Sequence, residues 1–531
     1  MAYINIPSLN YDLQFNIKLY NENNEANENN EANENNEANE NNISTSLYKH
    51  INYIKQQIHN NNNNWDFYKK ITNPYEYIHT HPIYNNNFSI CKYKPLSRSF
   101  FKMIEIIHVF NILNEENNIN SFHLAEGPGG FIEAFNYYRN NKNDIYYGMT
   151  LISNDINIPS WKKSNNYINL NKNIKIIVGE SKNGDLFLKQ NLLYINNKFK
   201  ESIDYITADG GFDFSIDFNK QEELSLKLIV SQIFYALIMQ KDKGKFILKI
   251  FDIFNIKTIE ILFLLTNCYQ SIYIYKPNTS RIANSEKYII CKNFKLNNFT
   301  NNIKSYIINN YDYILDNINN IKTFFNITLP KLFLNKIEEI NAIYGQQQLE
   351  NINNTLNLIR EYNNLKNKIT LNQLDTLLVL DKNIKLDDSN QLNENNESNN
   401  ESNNESNNLN ELNSISKPIE INDNINLNKY ELSPSNSEKY SLSPKDSFIL
   451  DKVEINIIDS INLNKIISEN INENIDENIN ENINENINEN QYTNFDKFKN
   501  RLLILKNINI QKSISWCNKY NLPINKNIFP N

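Results

Sequence analysis

The chain has 531 residues and a net charge of −8, yet much of its length is Asn, Ile, Lys and Glu in simple repeats, so the part able to bury a core is much shorter than the whole. Cysteines at 91, 268, 291 and 517 form no CxxC pair, which excludes a disulfide framework and a cysteine-built zinc site and fits a reducing, intracellular compartment, with cytoplasm and nucleus both open. The longest apolar runs, 226–239 and 259–265, are interrupted or shorter than the roughly 20 residues of a membrane-spanning helix, and the opening MAYINIPSLNYDL lacks the basic and apolar regions of a secretory signal, so no membrane partner is expected.

Taken from the amino end, residues 1–47 hold a six-residue repeat, ENNEAN, over 21–42; it offers no apolar face and is expected to be disordered. Over 48–300 short apolar runs alternate with longer helical segments, which is the signature of an α/β domain with a mostly parallel sheet flanked by helices. Seven strands are expected, at 122–125, 145–150, 174–178, 203–208, 245–250, 271–275 and 287–291, with helices at 131–139, 221–239 and 256–266. Residues 301–380 carry Leu and Ile at three- and four-residue spacing and read as a helical appendage. Region 381–490 is low in complexity, with NNES repeats at 389–408 and NINE repeats near 468–490, and is expected to be mostly disordered. The closing region, 491–531, reads as a short helical segment over 495–516.

Charge and glycine both concentrate in the α/β region. Residues 48–300 contain 30 Lys and Arg against 22 Asp and Glu, so the acid sits in the repeats and a polyanionic substrate is permitted. Nine of the ten glycines fall between 127 and 244, where backbone must turn sharply or approach a ligand.

Strand 122–125 runs directly into Glu126-Gly127-Pro128-Gly129-Gly130 and then a helix from Phe131. In a doubly wound sheet this first strand-to-helix turn receives nucleotide-like ligands beside exposed helix N–H groups. The spacing is neither GxGxxG nor a P-loop, and Pro128 removes a donor that a pyrophosphate would want.

Four charged residues fall at the same edge: Asp209 after the fourth strand, Lys249 ending the fifth, Glu286 before the last, and Lys102 on the helix preceding the first. Ligands of open α/β sheets bind at that edge. An amine flanked by carboxylates and a second amine suits methyl transfer to a weakly acidic alcohol, holding the hydroxyl in line and accepting or offsetting its proton. Lys249 is the candidate base or steering group, and the arrangement requires no metal.

The order Lys102, Asp209, Lys249, Glu286 resembles the Lys-Asp-Lys-Glu tetrad of the FtsJ-like RNA 2′-O-methyltransferases, over roughly 90–294. Within that family GPGGF, YGMTL, ADGGF, KIFDIF and KPNTSRIANSEKYIIC are most similar to the cap-specific mRNA methyltransferases, and KPLSRSFFKMIEI with HLAEGPGGFIEAF resembles versions from large DNA viruses. The resemblance implies a Rossmann-like methyltransferase fold over 48–300 and S-adenosylmethionine bound by Glu126, Gly127, Pro128, Gly129, Gly130, Phe131, Asp185 and Asp209, with Asp185 beside the adenine. It further implies catalysis by the tetrad on RNA, with the ribose of the first transcribed nucleotide of capped mRNA preferred. A ribosomal RNA substrate and a non-catalytic RNA-binding scaffold stay open as alternatives. The family's acidic residue on the first strand is replaced by His123, and an acid appears three residues later as Glu126.

Lys276 and Arg281, in KPNTSR, are expected at the same edge, where they could meet RNA phosphates. Trp65, Tyr68, Tyr75 and Tyr77 could stack on a base, although helix packing suits most of them better. His79-Thr80-His81 has no acidic or cysteine partner at ligand spacing and reads as a loop before Pro82.

Overall fold

In a computed structural model the apolar runs between 120 and 294 pair into one sheet. Residues 3–20, 42–59, 61–81, 89–114, 117–155, 158–211, 218–367 and 486–525 are described. Nearly all of the ENNEAN repeat, the NNES repeat, the NINE repeats before 486 and the expected helical stretch 368–380 lie outside the described residues.

The strands are β1 (Ile4–Ile6), β2 (Phe15–Leu19), β3 (Asn120–Leu124), β4 (Ile145–Met149), β5 (Ile174–Ile176), β6 (Ile203–Ala208), β7 (Gln240–Ile250), β8 (Tyr269–Tyr275), β9 (Lys287–Phe294) and β10 (Ile321–Phe325). The helices are α1 (Thr45–His59), α2 (Asn62–Thr72), α3 (Ser99–Phe110), α4 (Gly130–Arg139), α5 (Asn165–Leu170), α6 (Lys189–Phe199), α7 (Gln221–Met239), α8 (Ile256–Cys268), α9 (Asn298–Asp316), α10 (Lys331–Asn367) and α11 (Asn486–Lys519). The large sheet runs β1-β8-β9-β7-β6-β3-β4-β5. From β7 through β6, β3 and β4 to β5 the neighbours are parallel, and β9 lies antiparallel between β7 and β8. All seven expected strands are present. An eighth, β1, joins them from the N-terminal region, with Ile4 opposite Ile274 and Ile6 opposite Ile272. Three residues are too few to show a period in the sequence.

The strand order reverses between β3 and β6, which opens a crevice beyond their carboxyl ends. Two apolar clusters cover the sheet. Alternation along β7 sends Phe246, Leu248 and Ile250 into the cluster with α7 and α8, and Ile247 into the cluster with α3 and α4. Lys249 shares the parity of Ile247, and Glu286 that of Tyr288 and Ile290, so these side chains belong to the face against which α3 packs. Helix α7 is buried almost all round, as expected for a helix apolar on every side.

Region 301–380, read as helical, contributes α9, the strand β10 and α10. β10 pairs antiparallel with β2, Ile321 opposite Leu19 and Phe325 opposite Phe15. A turn in which Asn320 N–H donates to the Asn317 carbonyl, 2.8 Å, breaks the helix, and the aromatic IKTFF suits a half-buried strand. Helix α10 buries Ile337, Ile340, Tyr344, Gln348, Ile352 and Ile359, one stripe at helical spacing.

Helix α11 returns the chain to the α3 face, where Ile510, Trp516, Cys517, Tyr520 and Leu522 join the core. Trp516 Nε1 donates to Glu105 Oε2 at 3.1 Å, and Lys92 N–H donates to the Pro523 carbonyl at 2.7 Å. Because Trp516 is buried in a formed core, Trp516→Ala should cost about 3–5 kcal/mol; a denaturant midpoint unchanged by the substitution would show that α11 does not belong to the cooperative core.

Candidate active site

A cavity of about 1010 Å³ opens at the carboxyl edge of the sheet. Its lining includes Glu126, Gly127 and Pro128 after β3, Thr150 and Leu151 after β4, Asp209 and Gly211 after β6, Lys249 and Phe251 at the end of β7, and Glu286 before β9. The volume exceeds that of one nucleoside, and the far wall comes from α1, α2 and α10 through Lys55, Trp65, Lys69, Gln348 and Asn351.

The four expected charges are brought together as one connected chain. Lys102 Nζ lies 2.7 Å from Glu286 Oε1 and 2.9 Å from Oε2. Ser280 Oγ also donates to Glu286 Oε1, at 3.0 Å. Tyr288 OH donates to Asp209 Oδ1 at 2.9 Å and stands 3.4 Å from Glu286 Oε1, bridging the two carboxylates. Lys249 Nζ donates to the Asp209 carbonyl at 2.7 Å and lies 3.4 Å from Asp209 Oδ1. Burial opposes the charge on Glu286, but Lys102 and Lys249 outweigh it and hold the carboxyl down to about 2. Burial, with Asp209 and Glu286 nearby, pushes the Tyr288 phenol well above its usual value, so it acts as a neutral donor. Tyr288 was not singled out in the sequence. Its signal was the period of two, which places it on the Glu286 face of β9.

Along the loop only Glu126, Gly127 and Pro128 reach the cavity lining. Gly129 and Gly130 are buried, and Phe131 is fully enclosed. Gly129 has φ +99, and a side chain there would also meet the Trp161 ring. At Gly127 a Cβ would collide with the Ser160 carbonyl. The glycines are thus used by the protein's own packing as much as by any ligand, and Phe131 supports the loop from behind.

Glu126 is buried, and burial raises its carboxyl well above the usual range. Thr207 Oγ1 donates to Oε1 and the Ile132 N–H also favours the carboxylate, whereas Oε2 makes no hydrogen bond among the described residues. His123 is also buried, its ring between Ser121 Oγ at 2.8 Å and Thr207 Oγ1 at 2.7 Å, and burial depresses its pKa to about 3. His123 therefore braces the strand in neutral form, and the acid facing the cavity is Glu126. At the other end, Asp185 lines the cavity and its Oδ1 accepts from Phe187 N–H at 2.8 Å, which orients the carboxylate.

Lys276, expected to meet phosphate, is instead buried at 2 % exposure. Its amine donates to the Asn284 and Glu286 carbonyls, and burial pushes its pKa down to about 7, so it supports the turn behind Glu286 instead of offering surface charge. Arg281 lines the cavity but is held in a bidentate pair by Glu76, Nε to Oε2 at 2.9 Å and Nη2 to Oε1 at 2.5 Å. Of the four aromatics, Tyr68 and Tyr77 are buried and Tyr75 lines a separate groove, while Trp65 lines the main cavity. His79 is buried 3.6 Å from Glu76 Oε1 and burial keeps it neutral.

A family model described as FtsJ-like methyltransferase matches residues 95–294, which contain the loop and all four charges. The chain is 31% identical over 268 residues to a cap-specific mRNA (nucleoside-2′-O-)-methyltransferase of Autographa californica nuclear polyhedrosis virus, covering 50% of this chain and 86% of the viral one. It is 28% identical over 324 residues to cap-specific mRNA (nucleoside-2′-O-)-methyltransferase 2 of Danio rerio, covering 58% and 42%. A third relative, 30% identical over 192 residues and covering 34% and 22%, is named an inactive cap-specific mRNA (nucleoside-2′-O-)-methyltransferase 1B, from Caenorhabditis briggsae. The chain thus spans less than half the length of the Danio and Caenorhabditis relatives, and likeness alone does not separate active from inactive members. With residues 95–294 matching the family model and the viral relative, 31% identical, covered over 86% of its length, the chain belongs to the FtsJ-like methyltransferase family.

Proposed function

We propose that the chain transfers a methyl group from S-adenosylmethionine to a ribose 2′-hydroxyl of RNA, and that the acceptor is the first transcribed nucleotide of capped mRNA. The reaction rests on one observation: Lys102, Glu286, Tyr288, Asp209 and Lys249 form an unbroken chain of paired groups, of which Asp209, Lys249 and Glu286 line the same cavity as the Gly127-Pro128 turn. The choice of capped RNA is supported by the named substrates of the viral and Danio relatives.

The cavity suits the cofactor at the Glu126 carboxyl, whose contacts with Thr207 and the Ile132 N–H leave Oε2 without a hydrogen bond among the described residues. Glu126 Oε2 is a buried acceptor without a donor, and an N–H or ammonium group of S-adenosylmethionine would supply one. Asp185 would take the adenine end, where its carboxylate is already oriented by Phe187. When bound, the cofactor supplies an electrophilic methyl carried on a sulfonium. The protein's own part is positional and electrostatic. Lys249, fixed by both the carbonyl and the carboxylate of Asp209, holds the acceptor hydroxyl and takes or offsets its proton as the oxygen becomes nucleophilic. Lys102 and Glu286 keep the neighbouring charge balanced, and Tyr288 locks the distance between the two carboxylates.

Lys249→Ala should lower methyl transfer to RNA by about 10²–10⁴-fold while leaving S-adenosylmethionine binding nearly intact. Retained turnover would refute the role given to this amine. With labelled cofactor, a capped RNA should be methylated faster than its uncapped match; equal rates would remove the cap preference, and no methylation of either would remove the reaction.

Glu126→Gln should weaken S-adenosylmethionine binding roughly tenfold or more. Because the folded-state pKa of Glu126 is raised, its contribution to stability is full below about pH 4.3 and is lost as pH rises through the folded value. The melting temperature of the variant relative to the natural protein should therefore climb with pH from that point. A difference that stays flat, together with unchanged cofactor affinity, would show that Glu126 is neither strained nor a cofactor ligand.

A further inference from the structure

Five cationic side chains line the cavity: Lys55, Lys69, Arg98, Lys249 and Arg281. Four are neutralised by a carboxylate within ion-pair distance. Lys55 holds Asp252 at 2.8 Å, Lys69 holds Asp66, Lys249 holds Asp209 at 3.4 Å, and Arg281 holds Glu76 at 2.5 Å. The Arg98 side chain makes no ion pair or hydrogen bond to any described residue, and its Nε is buried without an acceptor among them. Burial and the nearby Arg281 weigh against its charge and outweigh the attraction of Glu76 and Glu286, so its pKa falls to about 10 and the protein holds this guanidinium in the cavity wall at a cost in stability.

The position of Arg98 is specific. It is the N-cap residue of α3, in helical geometry, and gives that twelve-residue helix no side-chain cap. Ser97 and Ser99 flank it in the cavity lining, with their hydroxyls 2.5 Å apart. An uncapped helix N-terminus and an unpaired guanidinium together favour an anion. Four residues on, along the same helix face, stands Lys102 of the paired chain, about one turn or 5.4 Å further. In RNA the carbon next to the one bearing the 2′-hydroxyl carries the 3′-phosphodiester, a single negative charge shared by the oxygens of a phosphorus three bonds from the acceptor carbon.

We propose that Arg98, with the N-terminus of α3, forms a subsite for the phosphodiester on the 3′ side of the methyl-acceptor nucleotide. This rests on the RNA ribose as substrate, and it assigns the binding of the strand beyond that ribose to a residue outside the paired chain. A guanidinium meets a phosphate in a bidentate fork that an ammonium cannot reproduce.

Binding of two capped oligonucleotides, GpppA and GpppApG, to the full chain tests this, with anisotropy as readout and no turnover required. The natural protein should bind GpppApG more tightly, by roughly tenfold. In Arg98→Met that advantage should collapse while GpppA binding holds, and the slope of log affinity against log salt for GpppApG should fall by about one. Arg98→Lys should recover only part of the advantage. Since the Arg98 side chain makes no hydrogen bond among the described residues and burial outweighs the attraction of Glu76 and Glu286, the melting temperature of Arg98→Met should be equal to or above that of the natural protein, a result that a structural arginine would not give. Equal loss on both ligands, or an Arg98→Met protein that still prefers GpppApG, would overturn the subsite. A natural protein that binds neither ligand would instead overturn the capped RNA reading on which the subsite rests.

Discussion

The ion pair between Lys102 and Glu286, extended through Tyr288 to Asp209 and Lys249, is the constraint on which the rest of the carboxyl edge depends. Groups this enclosed cannot hold charge in isolation, since removing one partner of a buried pair leaves the other uncompensated at a cost of about 3–5 kcal/mol. Each member therefore dictates where the next element must lie. Lys102 fixes the rotation of α3 against β9, Tyr288 sets the separation of β9 from the end of β6, and Lys249 ties β7 to the Asp209 carbonyl. Four elements distant in sequence are locked at one edge by a network that also carries the groups proposed to react. This double use puts rigidity where methyl transfer needs alignment.

A second charged group binds the far wall to this edge. Lys55 of α1 holds Asp252 just beyond β7, and Lys287 approaches the same carboxylate at 3.9 Å. Burial opposes the charge on Asp252, and the two lysines overcome it and keep its pKa below the usual value. Helix α10 completes the wall, Gln348 donating to the Ala283 carbonyl at 2.9 Å and Asn351 to the Thr72 carbonyl at 3.1 Å. The half of the cavity away from the Gly127 turn is thus built by α1, α2 and α10, all outside residues 95–294 of the family match. Variation in these helices could alter what RNA is accepted while the reacting groups stay fixed.

The seven strands of the α/β core and the four charges were legible because each announces itself locally: apolar runs of strand length, and scarce polar residues at their ends. What the sequence hid depends on partners far along the chain. β10 looked helical because Ile and Leu at mixed spacing suit either period, and only pairing with Phe15–Leu19 decides. Lys276 looked like a surface cation because a lysine after a strand end usually is one, and its burial follows from the fold of 277–286 over it. Trp516 and the tail through 525 gave no sign that they complete the core beside α3, for the 110 residues of the low-complexity region 381–490 separate them from the appendage before it. The glycines were read as making room for a ligand, whereas Gly127 and Gly129 make room for Ser160 and Trp161.

Pairing separates the two kinds of residue in the cavity. The groups assigned to the reaction are satisfied within the protein, so their geometry exists before any ligand arrives. Three lining side chains instead carry buried polar atoms without a partner among the described residues: Glu126 Oε2, Arg98 Nε and Asn73 Oδ1. A folded chain leaves such atoms rarely, because each costs about 1–3 kcal/mol unless something supplies the missing bond. Glu126 wants a donor beside the Gly127 turn, and Arg98 wants an acceptor at the start of α3. Their opposite demands, in the wall of the cavity that Lys249 also lines, match the proposed pairing of a cofactor that brings amino groups with a strand that brings phosphate. Under the proposed reaction that polarity, more than the glycine-rich turn, sets which ligand lies where.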